Sequence, residues 1–155
     1  MLQRVQTIYW SLSLLCLSIL FFGVNLVSFS KGNNVFDLSL YQLKEYDSKG
    51  SLVKEVARFD YLIVAIVVLL ICLTIFSFKN LKKQLNLAKW VMFIHLLIGF
   101  NFILFSYSGM IVSNPISVRL NFSIAFIFIS LILSILGYQG VKKDKNLLDS
   151  VDRIR

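Results

Sequence analysis

Apolar residues crowd into stretches 8–29, 61–78, 90–112 and 120–138, none of which holds an Asp, Glu, Lys or Arg. Each stretch is continuously apolar rather than alternating, which predicts a helix immersed in lipid instead of a strand on a soluble core. Tyr61 to Phe78 is the cleanest case: as an α-helix it reaches about 27 Å, near the hydrocarbon thickness of a bilayer. Arg58 and Asp60 stand at one end of it and Lys79, Lys82 and Lys83 at the other, where charges stay out of the apolar layer. The first stretch outruns the apolar region of a signal peptide and no A-x-A site follows, so it is read as a span.

Between the first two spans lies the only sizeable polar segment, 30–58. Val35, Phe36, Leu38, Leu40, Tyr41, Leu43 and Tyr46 partly alternate there with Asp37, Ser39, Gln42 and Lys44, the period of a strand. Asp47-Ser48-Lys49-Gly50 is a turn signal, and 51–57 returns as a second strand. Pro115 marks a tight reversal between the third and fourth spans. The expected fold is an all-α membrane protein, one integral domain over 1–155. Four transmembrane helices run up-down-up-down, with a small extracytoplasmic β-hairpin between helices 1 and 2 and a tail at 139–155.

Charge sets the expected orientation. Arg4, Lys79, Lys82, Lys83, Lys89, Lys142, Lys143, Lys145, Arg153 and Arg155 fall on one side and outnumber Lys31, Lys44, Lys49, Lys54, Arg58 and Arg119 on the other. Short basic segments remain in the cytoplasm, which puts both termini inside and the hairpin outside. At 57% hydrophobic and 15% charged, a 155-residue chain has too much apolar surface for a soluble domain. The net charge of +8 sits at the ends of apolar runs rather than on one face, so nucleic acid is not the expected partner.

Lipid tails are as apolar as leucine, so helices in a bilayer associate through small residues and interhelical hydrogen bonds. Candidate seams are Ser11, Ser18 and Asn25 in the first span, His95, Gly99, Ser106 and Gly109 in the third, and Ser123, Ser130, Ser134 and Gly137 in the fourth. Ala65 and Cys72 serve in the second, with Thr74 beside them. Asn101, expected near mid-bilayer, needs a polar partner. These stripes are read as packing seams; a conduit for small solutes or lipids lined by Ser and Asn is the alternative.

Cys16, Cys72 and His95 fall at similar predicted depth, and two thiols with an imidazole suit a soft metal. They lack ligand spacing, so no metal or cofactor is expected and a thiol- or metal-dependent membrane enzyme is a lesser alternative. The single histidine lies inside a span, which disfavours triad hydrolysis, and the absence of a charge deep in any span disfavours coupled transport. In the tail, Leu147, Leu148, Val151 and Ile154 keep helical spacing among Asp149, Asp152, Arg153 and Arg155, predicting a short amphipathic helix along the inner leaflet.

The two ends carry a family likeness. MLQRVQT at 1–7 leads straight into a span, and KKD at 142–144 with DSVDRIR at 149–155 closes the chain. This resembles a domain-of-unknown-function family of small four-span inner-membrane proteins of Bacteroidetes. Its members open with Met, an aliphatic residue and Gln-Arg-Ile/Val-Gln-Thr and end in Asp-Arg-Leu/Ile-Arg. Asp149 and Val151 depart from the Arg and Ala of that pattern. The resemblance implies a span layout and no activity. The expected role is a non-enzymatic accessory subunit that meets a membrane or periplasmic protein through 35–57, with Arg4, Asp152 and Arg153 gathered at the inner surface.

Overall fold

The computed structural model describes residues 3–113 and 117–152, leaving aside the side chains at 3, 4, 31, 103, 105–113, 151 and 152. In chain order its elements are α1 (Gln3–Leu20), β1 (Val27–Lys31), β2 (Asn34–Leu38), β3 (Gln42–Tyr46), β4 (Leu52–Ala57), α2 (Asp60–Phe76), α3 (Leu81–Ser113), β5 (Ser117–Leu120), a 3-10 turn (Phe122–Ile124) and α4 (Ala125–Asp152). The strands form one antiparallel sheet in the order β4-β3-β2-β1-β5. The expected all-α fold with a lone hairpin is therefore wrong. So is the four-span layout: among the described residues two helices are long and apolar enough to cross a membrane, over Leu81–Phe102 and Phe122–Ser150. The apolar parts of the other two, Val5–Leu20 and Asp60–Phe76, are shorter.

The first apolar run breaks because an unbroken hydrophobic stretch reads alike as buried helix or buried strand. α1 closes with the Phe21 and Phe22 amides donating to the Ser18 and Ile19 carbonyls. Gly23 then takes φ +73, a left-handed turn that glycine enters without steric penalty. Beyond it Val27 and Phe29 are buried as residues of β1, not of a helix. The expected single strand over 35–46 is likewise two. Ser39 turns the chain, its amide donating to the Gln42 carbonyl at 3.0 Å and its hydroxyl accepting from the Gln42 amide at 3.2 Å.

β5 comes from 117–120, at the edge of the expected fourth span, and pairs with β1 in the register Ser28↔Arg119 and Phe29↔Val118. Only a contact between distant parts of the chain makes it a strand. α3 begins ahead of the expected third span, at Leu81, because the Asn80 side chain accepts from the Lys83 amide at 3.1 Å and caps it. The basic stretch 81–89 is thus helix rather than connection. α4 runs unbroken to Asp152, so the expected separate tail helix is its last turns. The reversal at Pro115 lies outside the described residues.

The helices close a ring in which α1 packs on α4, α4 on α3, α3 on α2 and α2 on α1. With 33 residues against 17, α3 is about 50 Å long beside about 25 Å for α2, and it reaches past α2 to touch β1. Polar bonds fasten the sheet to the helix ends. The Tyr41 hydroxyl donates to the Phe21 carbonyl at 3.0 Å, the Tyr61 amide to the Leu40 carbonyl at 3.3 Å, and the Asn121 amide to the Leu26 carbonyl at 3.0 Å. Tyr41 and Tyr61 also stack, with ring centroids 5.3 Å apart. Arg58 pairs with Asp60 at 2.6 Å where α2 begins, so the acid also meets the positive end of the helix.

The two faces of the sheet differ, as strand alternation requires. Val27, Phe29 and Leu38 are buried on one. Register places Arg119, Ser28, Asp37, Lys44 and Glu55 in a row across all the strands on the other.

Candidate functional site

Among the described residues the buried positions of α1 are Gln6, Trp10, Ser13, Leu17 and Leu20, and those of α4 include Ile127, Ser130, Ser134, Gly137 and Val141. On α3 they are Gln84, Ala88, Val91, His95, Ile98 and Phe102. Each set advances by alternating steps of three and four, the spacing that keeps one seam of a helix turned to its neighbour. Polar residues at those seam positions are therefore enclosed between helices.

Ser13, Ser130, Ser134 and His95 meet there. Ser13 Oγ lies 2.7 Å from Ser130 Oγ and 3.0 Å from Ser134 Oγ, and Ser130 Oγ lies 2.9 Å from His95 Nε2. His95 Nδ1 is 2.8 Å from the Val91 carbonyl, which only accepts, so Nδ1 carries the proton and Nε2 of the neutral ring accepts from Ser130. That commits the Ser130 proton. The Ser13 hydroxyl has both Ser130 Oγ and the Ser130 carbonyl, at 3.1 Å, as acceptors and lies within reach of Ser134, so these bonds tie α1, α4 and α3 together. Ser130 and Ser134 are 0% exposed and His95 1%.

The Ser130–His95 distance is that of a nucleophile and its base. Both groups are buried, His95 in the wall of an apolar groove of about 500 Å³ between α3 and α4, and the imidazole is held by the Val91 carbonyl of its own helix rather than by a carboxylate. The hydroxyls bond to one another and to the imidazole and so join three helices, each hydrogen bond netting about 0.5–1.5 kcal/mol.

Toward the α1 N-terminus the contact becomes close packing. A Cβ on Gly137 would lie 2.6 Å from the Trp10 indole, and one on Gly140 would lie 2.8 Å from Gln6 Cγ. Gln6 donates to Asp144 at 2.5 Å. Trp10 Nε1 and the second Asp144 oxygen are buried without a hydrogen-bond partner among the described residues. Gln84 donates to the Thr74 carbonyl at 3.2 Å and links α3 to α2.

The expected seam residues fall in several places. Ser130, Ser134, His95 and Gly137 lie in the contacts just described. Ser11 is exposed. Ser18 donates to the Leu15 carbonyl of its own helix at 2.8 Å. Asn25, beyond the end of α1, donates to Asp37 at 3.0 Å. Gly99 has no atom within 4 Å of where a Cβ would stand; it opens an apolar groove of about 500 Å³ between α3 and α4, lined by Phe93, Leu96, Phe100, Ile127, Phe128 and Leu131 among others. Asn101 is exposed beside Asp60, level with the start of α2. The side chains of Arg4, Ser106 and Asp152, and the whole of Arg153, lie outside the described residues.

Ser13, Gln6, Trp10, Gly140 and Asp144 were not among the expected seam residues. The seven-residue repeat in the first span is present, but it runs through Gln6, Ser13 and Leu20 rather than through Ser11, Ser18 and Asn25. Gln6, a polar residue one heptad before Ser13, is the signal that marks the right face.

A family model described as a domain of unknown function, DUF4293, matches residues 2–154. The chain belongs to this family. Among curated proteins no relative matches it. Membership in DUF4293 assigns no chemistry, so the reading of the cluster rests on its geometry. Cys16 and Cys72 are free and half-buried, and among the described residues no three His, Cys, Asp or Glu side chains gather as a metal site.

Proposed function

We propose that this DUF4293 protein is a membrane-embedded, non-enzymatic accessory subunit whose sheet offers its β4 edge to an extended segment of a partner protein. One observation carries the membrane assignment: the outward faces of the helices are apolar, while polar groups are enclosed between them. His95, Gln84, Ser130 and Ser134 are enclosed, while Phe93, Leu96 and Phe100 on α3 and Phe128, Ile132 and Leu136 on α4, the two helices long enough to cross, face outward. In water this would leave large apolar faces exposed with polar groups buried; in lipid it is the favourable arrangement. Only 28% of each long apolar window is buried, unlike the core helix of a soluble protein.

The exposed rings of Phe22, Phe59 and Phe122 each lie at a junction between a helix and the sheet. The basic residues of 79–89 and 142–145 collect at the opposite end. Both support a sheet at the outer face of a cytoplasmic membrane with the start of α3 and the end of α4 inside.

β4 is exposed along its whole length and bears Leu52, Val53 and Val56 at the free edge of the sheet. Such an edge can accept one more strand through its main chain. A photoreactive residue at Val53 or Val56, in cells, should crosslink one protein, and Val56→Asp in the Val53-labelled chain should abolish that product while the protein stays in the membrane fraction. If no product forms at either site in correctly inserted protein, or if the product survives Val56→Asp, the edge-pairing reading is wrong.

A further inference from the structure

At the other edge of the sheet, β1, β2 and β5 enclose a groove of about 350 Å³ on the outward face. Its floor is set by register: Arg119, Ser28 and Asp37 lie in one row, and Ser117, Ser30 and Val35 in the next. Asn121 donates to Ser28 at 3.1 Å, Ser30 and Ser117 share a hydrogen bond at 2.9 Å, and Asn25 donates to one oxygen of Asp37 at 3.0 Å.

Arg119 has no hydrogen-bond or ion-pair partner among the described residues, and Asp37 has no cationic one. Lys44, next to Asp37 in the row, is instead bonded to Gln42, which also bonds Glu55. Two opposite charges thus face one groove, separated by the Ser28 hydroxyl, without closing on each other. Asp37 disfavours a simple anion in that space and Arg119 a simple cation; a molecule carrying both charges satisfies both walls. Ser28 accepts from Asn121 and keeps its own proton to donate, and the Ser30–Ser117 pair retains one. With the guanidinium and the Asn121 amide these are more donors than the two oxygens of a carboxylate need, and they suit the oxygens of a phosphate.

We infer that this groove binds a phosphoethanolamine group, with the phosphate on Arg119 and the serine hydroxyls and the ammonium on Asp37. The inference does not depend on the β4 edge. The group has two sources, a membrane lipid headgroup or a soluble phosphoethanolamine, and the test separates them.

Binding to the purified full chain in nanodiscs is measured with soluble phosphoethanolamine, with inorganic phosphate and ethylamine as single-charge controls. Retention of phosphatidylethanolamine over phosphatidylcholine is followed by native mass spectrometry. Preference for phosphoethanolamine over both controls assigns a soluble source. Retention of the ethanolamine lipid without a soluble response assigns the headgroup. In either case Arg119→Gln should weaken binding at least about tenfold, the weight of a charged hydrogen bond, and Asp37→Asn should remove the preference for the ammonium-bearing ligand while phosphate binding persists. Equal affinity for phosphate and phosphoethanolamine in the unaltered chain, no binding by either source, or an unchanged Arg119→Gln variant would overturn the assignment.

Discussion

On α1, Ser13 is fully enclosed while Ile8, Leu12 and Leu15 face outward; on β1, a few residues further along the same chain, Ser28 and Ser30 face outward while Val27 and Phe29 are buried. The two regions meet at Leu20, Leu26 and Leu40, where both patterns agree on a buried aliphatic residue. The contrast shows that one polypeptide is fitted to two surroundings. Around the sheet, removing apolar area from water drives packing at about 25 cal/mol per Å². Between the helices, close approach at Gly137 and Gly140 and hydroxyl and imidazole bonds add to a buried aliphatic core; in the bilayer proposed above the burial term is small and these contacts carry more of the packing.

The largest expected effect comes from placing the same charge outward in each region. Phe93→Asp, on the outward face of α3, should disfavour membrane insertion by about 3 kcal/mol, whereas Val35→Asp on the outward face of β2 should shift stability by less than about 0.5 kcal/mol. Fractionation and glycosylation-type insertion reporters measure the first, detergent unfolding the second. Equal tolerance of both would dissolve the contrast.

Next in size is a test of close packing. Gly137→Leu drives atoms into the Trp10 ring and should cost about 2 kcal/mol or more, read as a drop in the thermal midpoint in detergent. Gly99→Ala, which meets open space, should leave that midpoint nearly unchanged.

The smallest effect concerns the hydroxyl chain. Ser130→Ala strands His95 Nε2 and takes a partner from Ser13, with an expected loss of about 1–2 kcal/mol. Ser11→Ala, at an exposed position of α1, should lie within about 0.5 kcal/mol of the unaltered protein. A Ser13→Ala, Ser130→Ala double-mutant cycle with no coupling would mean that the bonds contribute nothing.

How far the chain was legible varied with the range of the interactions involved. α2 could be placed within two residues because a charged pair, Arg58 and Asp60, starts it and Lys79 follows its end. Val27 to Phe29 was misassigned to a helix because nothing local distinguishes a buried strand from a buried helix there, apart from the turn at Gly23. The expected hairpin over 35–57 put two strands where β2, β3 and β4 lie, and missed both the turn at Ser39 and the union with β1 and β5. Of the polar cluster, His95, Ser130 and Ser134 were visible as small or polar residues in apolar runs; Ser13 was missed because the phase of α1 is set by what Trp10 packs against.

What the residues alone decided is that long apolar segments form helices with charge at their ends, since that follows from local composition and the energetic penalty of a charge in lipid. What folding decided is which face of each helix turns inward and where Ser117 to Leu120 pairs. Both depend on partners far along the chain, Gly137 against Trp10 and Arg119 beside Ser28, and no local pattern encodes a contact whose other half lies about a hundred residues away.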